Sequence, residues 1–79
     1  MSDYQPISCE FHDFLEAAAT LRRRTAIEYL DEAGQPASIT AVVLDVRTKD
    51  GAEYLYADNN AVIRLDRLIA VDGRKLLDY

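Results

Sequence analysis

Turn signals interrupt the chain at short intervals after residue 24, and this spacing limits the possible folds more than any other feature. The signals lie at residues 31–36, 48–51, 58–60 and 73. The segments between them are short and rich in β-branched and aromatic side chains, which predicts strands joined by tight turns. We expect a meander of five strands, at residues 25–30, 38–46, 53–57, 61–72 and 75–79.

The second of these segments breaks the alternation of an ideal strand. Ile39, Ala41 and Val43 share one parity, whereas Leu44 and Val46 share the other. A shift of one residue within a long strand predicts a bulge or a sharp bend. Twisted strands with such bends can close into a small barrel, which removes exposed sheet edges.

A helix is predicted ahead of the strands, over residues 9–20. Its apolar side chains recur at the i, i+3, i+4 and i+7 spacing of a helix face, at Phe11, Phe14, Leu15 and Ala18. Ser8 is suited to cap the helix N-terminus. Pro6 favours an extended lead-in over residues 1–8, because the residue before a proline avoids the helical conformation.

The expected fold class is mainly β with one helix. The order of elements predicts an Sm-like or SH3-like small five-stranded β-barrel over residues 24–79, preceded by the N-terminal α-helix, and an OB-fold would place its helix elsewhere. A chain of 79 residues is short for even one domain, so residues 1–79 form a single domain.

Composition narrows the possible partners. The chain has nine basic and fourteen acidic residues and a net charge of −5, which disfavours direct nucleic-acid binding and favours a basic protein as the partner.

The sequence also indicates where the protein resides. It lacks an apolar run of about 18–20 residues, so no membrane association is expected. The first ten residues lack the pattern of a signal peptide. A single cysteine suits the reducing cytoplasm, where we expect the protein to reside.

Catalysis is not expected, although Cys9 and His12 lie at helical i, i+3 spacing and raise the possibility of a nucleophile and its base. Cys9 is expected to be a small buried side chain on the apolar side of the helix, with His12 on the polar side. Glu10, Asp13 and Glu16 lack the preorganised loop of an EF-hand. We therefore expect no enzyme activity, no metal and no cofactor.

The helix has a negative polar face, since residues 1–20 contain acids but no lysine or arginine. This face is either an ordinary solvated surface or a docking surface for a basic partner. Arg47 and Lys49 flank the predicted hairpin tip and are either solubilising or a second contact. Three tyrosines, Tyr29, Tyr54 and Tyr56, could stack on bases, but cross-strand packing suits them better without basic neighbours.

A family resemblance sharpens this choice. The segment Tyr4-Gln-Pro-Ile-Ser-Cys9, followed by an acidic helix, resembles the opening of the Rof family, the Rho-binding antiterminators. Farther along, Glu53-Tyr-Leu55 and Arg64-Leu-Asp-Arg-Leu-Ile69 resemble strand segments of that family. The similarity runs from Tyr4 to about Val71.

The resemblance implies an Sm-like fold and a non-enzymatic role. Rof proteins bind the N-terminal domain of the transcription termination factor Rho, cover its primary RNA-binding site and prevent RNA loading. The resemblance implies partner-binding residues on the helix and on the loop between the second and third strands, at Glu10, Asp13, Glu16, Arg47, Thr48, Lys49 and Asp50.

Two features depart from the family pattern. The loop between the second and third strands is one residue longer here. Phe11 stands where the family can carry an acid, and we expect it to pack into the core.

Two other functions remain as alternatives to Rho binding. One is an Sm-like RNA-binding module, and the other is an acidic interaction domain for another basic nucleic-acid-binding protein.

Overall fold

The computed structural model describes residues 7–76 and consists of one helix followed by six strands. The helix, α1, spans Cys9–Leu21. The strands are β1 (Arg24–Leu30), β2 (Pro36–Lys49), β3 (Ala52–Ala57), β4 (Val62–Arg64), β5 (Leu68–Val71) and β6 (Arg74–Lys75). The predicted class, mainly β with one N-terminal helix, is confirmed.

The predicted boundaries of the helix hold to within one residue. The Ser8 hydroxyl accepts a hydrogen bond from the Phe11 backbone N–H at 3.2 Å, as expected of an N-cap. The helix ends at Arg22, which adopts a left-handed conformation with φ of 54°. Most of the predicted lead-in, and the Tyr4 end of the N-terminal motif, lie outside the described residues.

The strands form one antiparallel sheet in the order β4-β3-β2-β1-β5-β6. Strand β2 pairs with two strands: its first half pairs with β1 and its second half pairs with β3. The predicted bulge lies at the start of the second half: Val43 pairs with Ala57 and Asp45 pairs with Tyr56, which leaves Leu44 without a residue opposite. The prediction of a bulge in β2 is therefore confirmed.

The sheet is strongly bent, because residues 65–67 alone connect β4 to β5. In a flat sheet, strands four positions apart lie about 19 Å from each other. The four Cα–Cα steps from Arg64 to Leu68 reach about 15 Å at most. A flat sheet therefore cannot hold this connection.

The prediction of five strands was wrong, because the segment expected as one strand over 61–72 is two strands separated by a 3₁₀ turn. Leu65 and Leu68 have opposite parity, yet both are buried. A 3₁₀ turn brings residues three apart onto one side, which a continuous strand cannot do. Of the last predicted strand, 75–79, only its first residue lies in β6, and residues 77–79 lie outside the described part.

The core lies between α1 and the inner face of the bent sheet. Phe11 and Leu15 are fully buried, as expected, and pack into one cluster with strand residues that include Ile27, Val43 and Leu55. The helix therefore has one face fixed against the sheet and the opposite face turned to solvent. Within residues 7–76, no helix has the length and apolar character to cross a membrane.

Candidate protein-binding surface

The solvent side of α1 carries the three predicted carboxylates. Glu10, Asp13 and Glu16 are all exposed, and we call these three residues the acidic face. At 100° per residue they spread over about 120° of the helix circumference. They lie away from Phe11 and Leu15, whose burial fixes the rotation of the helix. Core packing therefore determines which side chains the helix presents.

A histidine joins this face to the sheet. His12 Nδ1 lies 2.9 Å from Glu16 Oε1, and His12 Nε2 lies 2.8 Å from Glu53 Oε2 on β3. The side chains of His12 and Glu53 are 27% and 28% exposed, whereas that of Glu16 is 60% exposed. The structure thus adds a fourth carboxylate beside the acidic face.

The sequence did not indicate this bridge. His12 was expected simply on the polar side of the helix, and Glu53 entered only as part of a strand motif. The two residues are 41 positions apart, so no local pattern links them. The signal that was available was the lone histidine within an acidic helix.

An open depression of about 360 Å³ lies beside the bridge, lined by Ile7, Cys9, His12, Asp13 and Glu53. The expected burial of Cys9 was wrong, because this side chain is exposed. Cys9 and Asp13 are four residues apart and therefore lie on the same side of the helix. The thiol is thus part of the polar surface and not of the core.

One group of residues within 7–76 has metal-ligand spacing. His12, Asp13 and Glu16 each offer one ligand atom, and these atoms lie within 4.8 Å of one another. Both ring nitrogens of His12 already contact carboxylates. A cation there would have to displace one of these contacts, so the group fits an internal ion bridge better.

Most of the contact residues expected in a loop between β2 and β3 lie on strand β2 itself. Arg47, Thr48 and Lys49 belong to β2, and only Asp50 and Gly51 make the turn, with φ of 53° and 82°. Two successive positive φ angles are typical of a tight type I′ hairpin turn. The contact residues predicted there are therefore held mostly on a rigid strand, and all four are exposed.

The alternation of β2 divides these residues between two sides. Thr48 pairs directly with Glu53, so the two side chains lie on the same face of the sheet. Arg47 and Lys49 have the other parity and lie on the opposite face. Of the three predicted hairpin residues on the strand, only Thr48 is thus on the side of the His12 bridge.

Arg47 has local partners on its own face. Its Nε lies 2.6 Å from Asp45 Oδ2, and its guanidinium carbon lies 5.5 Å from the centre of the Tyr56 ring. The hydrogen bond from Arg47 lowers the pKa of the Asp45 carboxyl, and the same bond raises the pKa of Arg47. The positive charge of Arg47 is thus matched within its own strand.

A second groove, of about 280 Å³, runs between α1 and the bulge of β2. Its lining residues are Glu16, Ala19, Thr20, Arg22, Leu44, Asp45 and Val46. Leu44 is 39% exposed because the bulge turns it out of the core. The groove places one apolar side chain close to the acidic face, and the parity break in the sequence was the signal for it.

Comparisons of the chain with protein-family models, with curated proteins and with solved structures found no match. What this surface binds is therefore inferred from its charge and geometry, together with the motif resemblance.

Proposed function

We propose that this protein is a non-enzymatic inhibitor of Rho-dependent transcription termination. It binds the N-terminal RNA-binding domain of Rho through the acidic face and the adjacent hairpin, and thereby blocks RNA loading. One observation carries the proposal: α1 presents three exposed carboxylates, and its sequence, Cys9–Leu21, contains no lysine or arginine.

Electrostatics supports a partner of this kind. A site that binds RNA phosphates is lined with basic side chains. A rigid surface of carboxylates is complementary to such a site and competes with phosphates for it. Glu53, which lies beside His12, adds a fourth carboxylate to this surface, and the nearby Leu44 supplies an apolar contact beside the charged ones.

The proposal includes an Sm-like barrel as the scaffold. It is supported by β2, whose two halves pair with different strands, and by the short connection at residues 65–67, which a flat sheet could not hold. Such a scaffold holds the helix and the β2–β3 hairpin in a fixed relation.

The hairpin residues Arg47, Thr48, Lys49 and Asp50 complete the proposed contact. Thr48 is beside the acidic face through its pairing with Glu53. Arg47 and Lys49 extend from the other side of the same strand, so they would meet a different part of Rho. The acidic face thus carries only negative charges, whereas the hairpin carries charges of both signs.

A second candidate function is RNA binding by an Sm-like module. Arg47 lies over the ring of Tyr56, and Tyr54 shares that face of the sheet. A cation next to aromatic rings is an arrangement that binds bases and phosphates. The net charge of −5 opposes this function, and direct binding of labelled RNA would distinguish it from inhibition of Rho.

An acidic interaction domain for another basic protein would share the acidic face but fail to bind Rho.

Charge reversal tests the leading proposal. The variant D13K/E16K should weaken binding to purified Rho by about tenfold or more, because two attractive contacts become repulsive. Its stability should change by no more than about 1 kcal/mol, since both side chains are exposed.

A matched control makes this test specific. The variant E28K/E32K changes the net charge equally but alters exposed residues on β1 and in the following turn. It should retain most of the affinity for Rho. Equal losses in the two variants would mean that overall charge, and not the acidic face, determines binding.

A further inference from the structure

Both ring nitrogens of His12 face carboxylate oxygens. Nδ1 is 2.9 Å from Glu16 Oε1, and Nε2 is 2.8 Å from Glu53 Oε2. Both distances lie within the range of charge-assisted hydrogen bonds.

These contacts have a consequence for the proton content of His12. A neutral imidazole carries one N–H, and its other nitrogen is an acceptor. An ionised carboxylate only accepts hydrogen bonds. Two contacts to ionised carboxylates are therefore both favourable only when His12 carries two protons and a positive charge.

The described side chains around His12 include several carboxylates. The titratable groups around His12 are Asp13, Glu16 and Cys9 on its own helix and Glu53 on β3. Lysine and arginine are absent from the described residues that line the depression. His12 is thus the positive group within a cluster of carboxylates.

We infer that the proton on His12 regulates the acidic face, an inference that rests on the proposed function. The protonated ring cancels one negative charge and holds Glu16 and Glu53 to itself. A basic partner that pairs with these carboxylates displaces the ring. His12 then passes its extra proton to solvent, and its N–H bond is the bond broken.

The direction of the effect follows from this competition. Histidine changes its charge between about pH 5 and 8. Below this range the ring holds both carboxylates and opposes docking, and above it the neutral ring donates to only one of them and the face is more negative. Affinity for a basic partner should therefore rise with pH, and by linkage partner binding should release protons.

The test compares wild type with His12→Gln, binding the N-terminal domain of Rho at pH 5.5 and pH 7.5. The same Rho domain is used in both titrations, so the pH dependence that its own titrating groups add to the affinity is the same for wild type and variant. Wild-type affinity should rise about two- to fivefold more than that of the variant, the size of one exposed charge pair. Calorimetry in two buffers of different ionisation enthalpy should detect more proton release on binding for wild type than for the variant.

A measurement on the free protein tests the bridge without any partner. The chain has one histidine, so its imidazole signals in NMR are unambiguous. At pH 5.5 wild type should show two ring N–H protons protected from solvent exchange, and Glu53→Ala should lose the protected signal of Nε2. An unprotected Nε2–H in wild type would overturn the inference.

The outcomes separate the two claims. Binding to Rho with the same pH dependence in wild type and in His12→Gln would overturn the regulation and leave the proposed function standing. Failure of wild type to bind at either pH would overturn the proposed function and the regulation together, and the ring measurement would still decide whether the bridge exists.

Discussion

Two charge pairs near the proposed binding surface differ in what they hold together. His12 and Glu53 are 41 residues apart, join α1 to β3 and are each only about a quarter exposed. Arg47 and Asp45 are two residues apart on β2 and are much more exposed. The first pair fixes one element against another, whereas the second orders side chains within a single strand.

This difference matters because burial and chain separation determine how much an ion pair contributes. Exposed pairs are screened by water and contribute little to stability. A pair that joins two elements also couples a change of protonation to their relative position. We therefore expect the helix side of the surface to respond to pH and mutation, and the Arg47 side to respond weakly.

The largest effect should come from the core beneath the acidic face. Leu15→Ala removes a fully buried side chain and leaves a cavity, so unfolding free energy should fall by about 2–5 kcal/mol in urea denaturation. Leu21→Ala is the matched control on the same helix, since Leu21 is exposed, and should change stability by about 0.5 kcal/mol or less. Similar losses in both variants would contradict the described helix orientation.

An intermediate effect is expected at the bridge. The coupling energy between His12 and Glu53, from a double-mutant cycle of H12Q and E53A, should be about 0.5–1 kcal/mol at pH 5.5. It should be smaller at pH 8.5, because a neutral ring can donate only one hydrogen bond. In this cycle the energetic contributions of the other contacts of Glu53 cancel. A coupling energy that does not depend on pH would contradict a charged bridge.

The smallest effect should be at Arg47. Arg47→Ala should leave the melting temperature within experimental error, because the pair is exposed. The substitution should instead change the pKa of Asp45. NMR titration should place the pKa of the Asp45 carboxyl below its ordinary value of 3.8 in wild type, and closer to that value in the variant.

The sign of this shift defines its pH window. A lowered pKa in the folded state means that the pair favours folding above the ordinary pKa of aspartate, and that this contribution disappears as pH falls through the lowered value. Any change of stability with pH that arises from this pair is therefore confined to acidic solutions. A loss of stability at neutral pH in Arg47→Ala as large as that in Glu53→Ala would remove the contrast between the two pairs.

Features encoded by local sequence could be predicted. Ser8 caps α1 because a hydroxyl before a helix satisfies a free N–H, and Phe11 is buried because helical spacing places it with Leu15. The bulge at Leu44 followed from a break of parity within a few residues. Each of these depends on neighbours along the chain.

Features that depend on distant contacts could not be predicted. The division of the segment 61–72 into β4 and β5 follows from the bend of the whole sheet, which alternation within the segment does not reveal. The contact of His12 with Glu53 requires α1 to pack against a particular register of β3. The binding roles of the acidic face and the hairpin come from the family resemblance and remain predictions.

Displacement of RNA from Rho is the most direct test of whether this protein blocks RNA loading. The purified protein would be titrated into Rho carrying labelled C-rich RNA, at low and at high salt. RNA should be released in proportion to added protein, and less effectively at high salt, because salt screens the acidic face. Retention of the RNA at both salt concentrations, with no complex on size-exclusion chromatography, would contradict it.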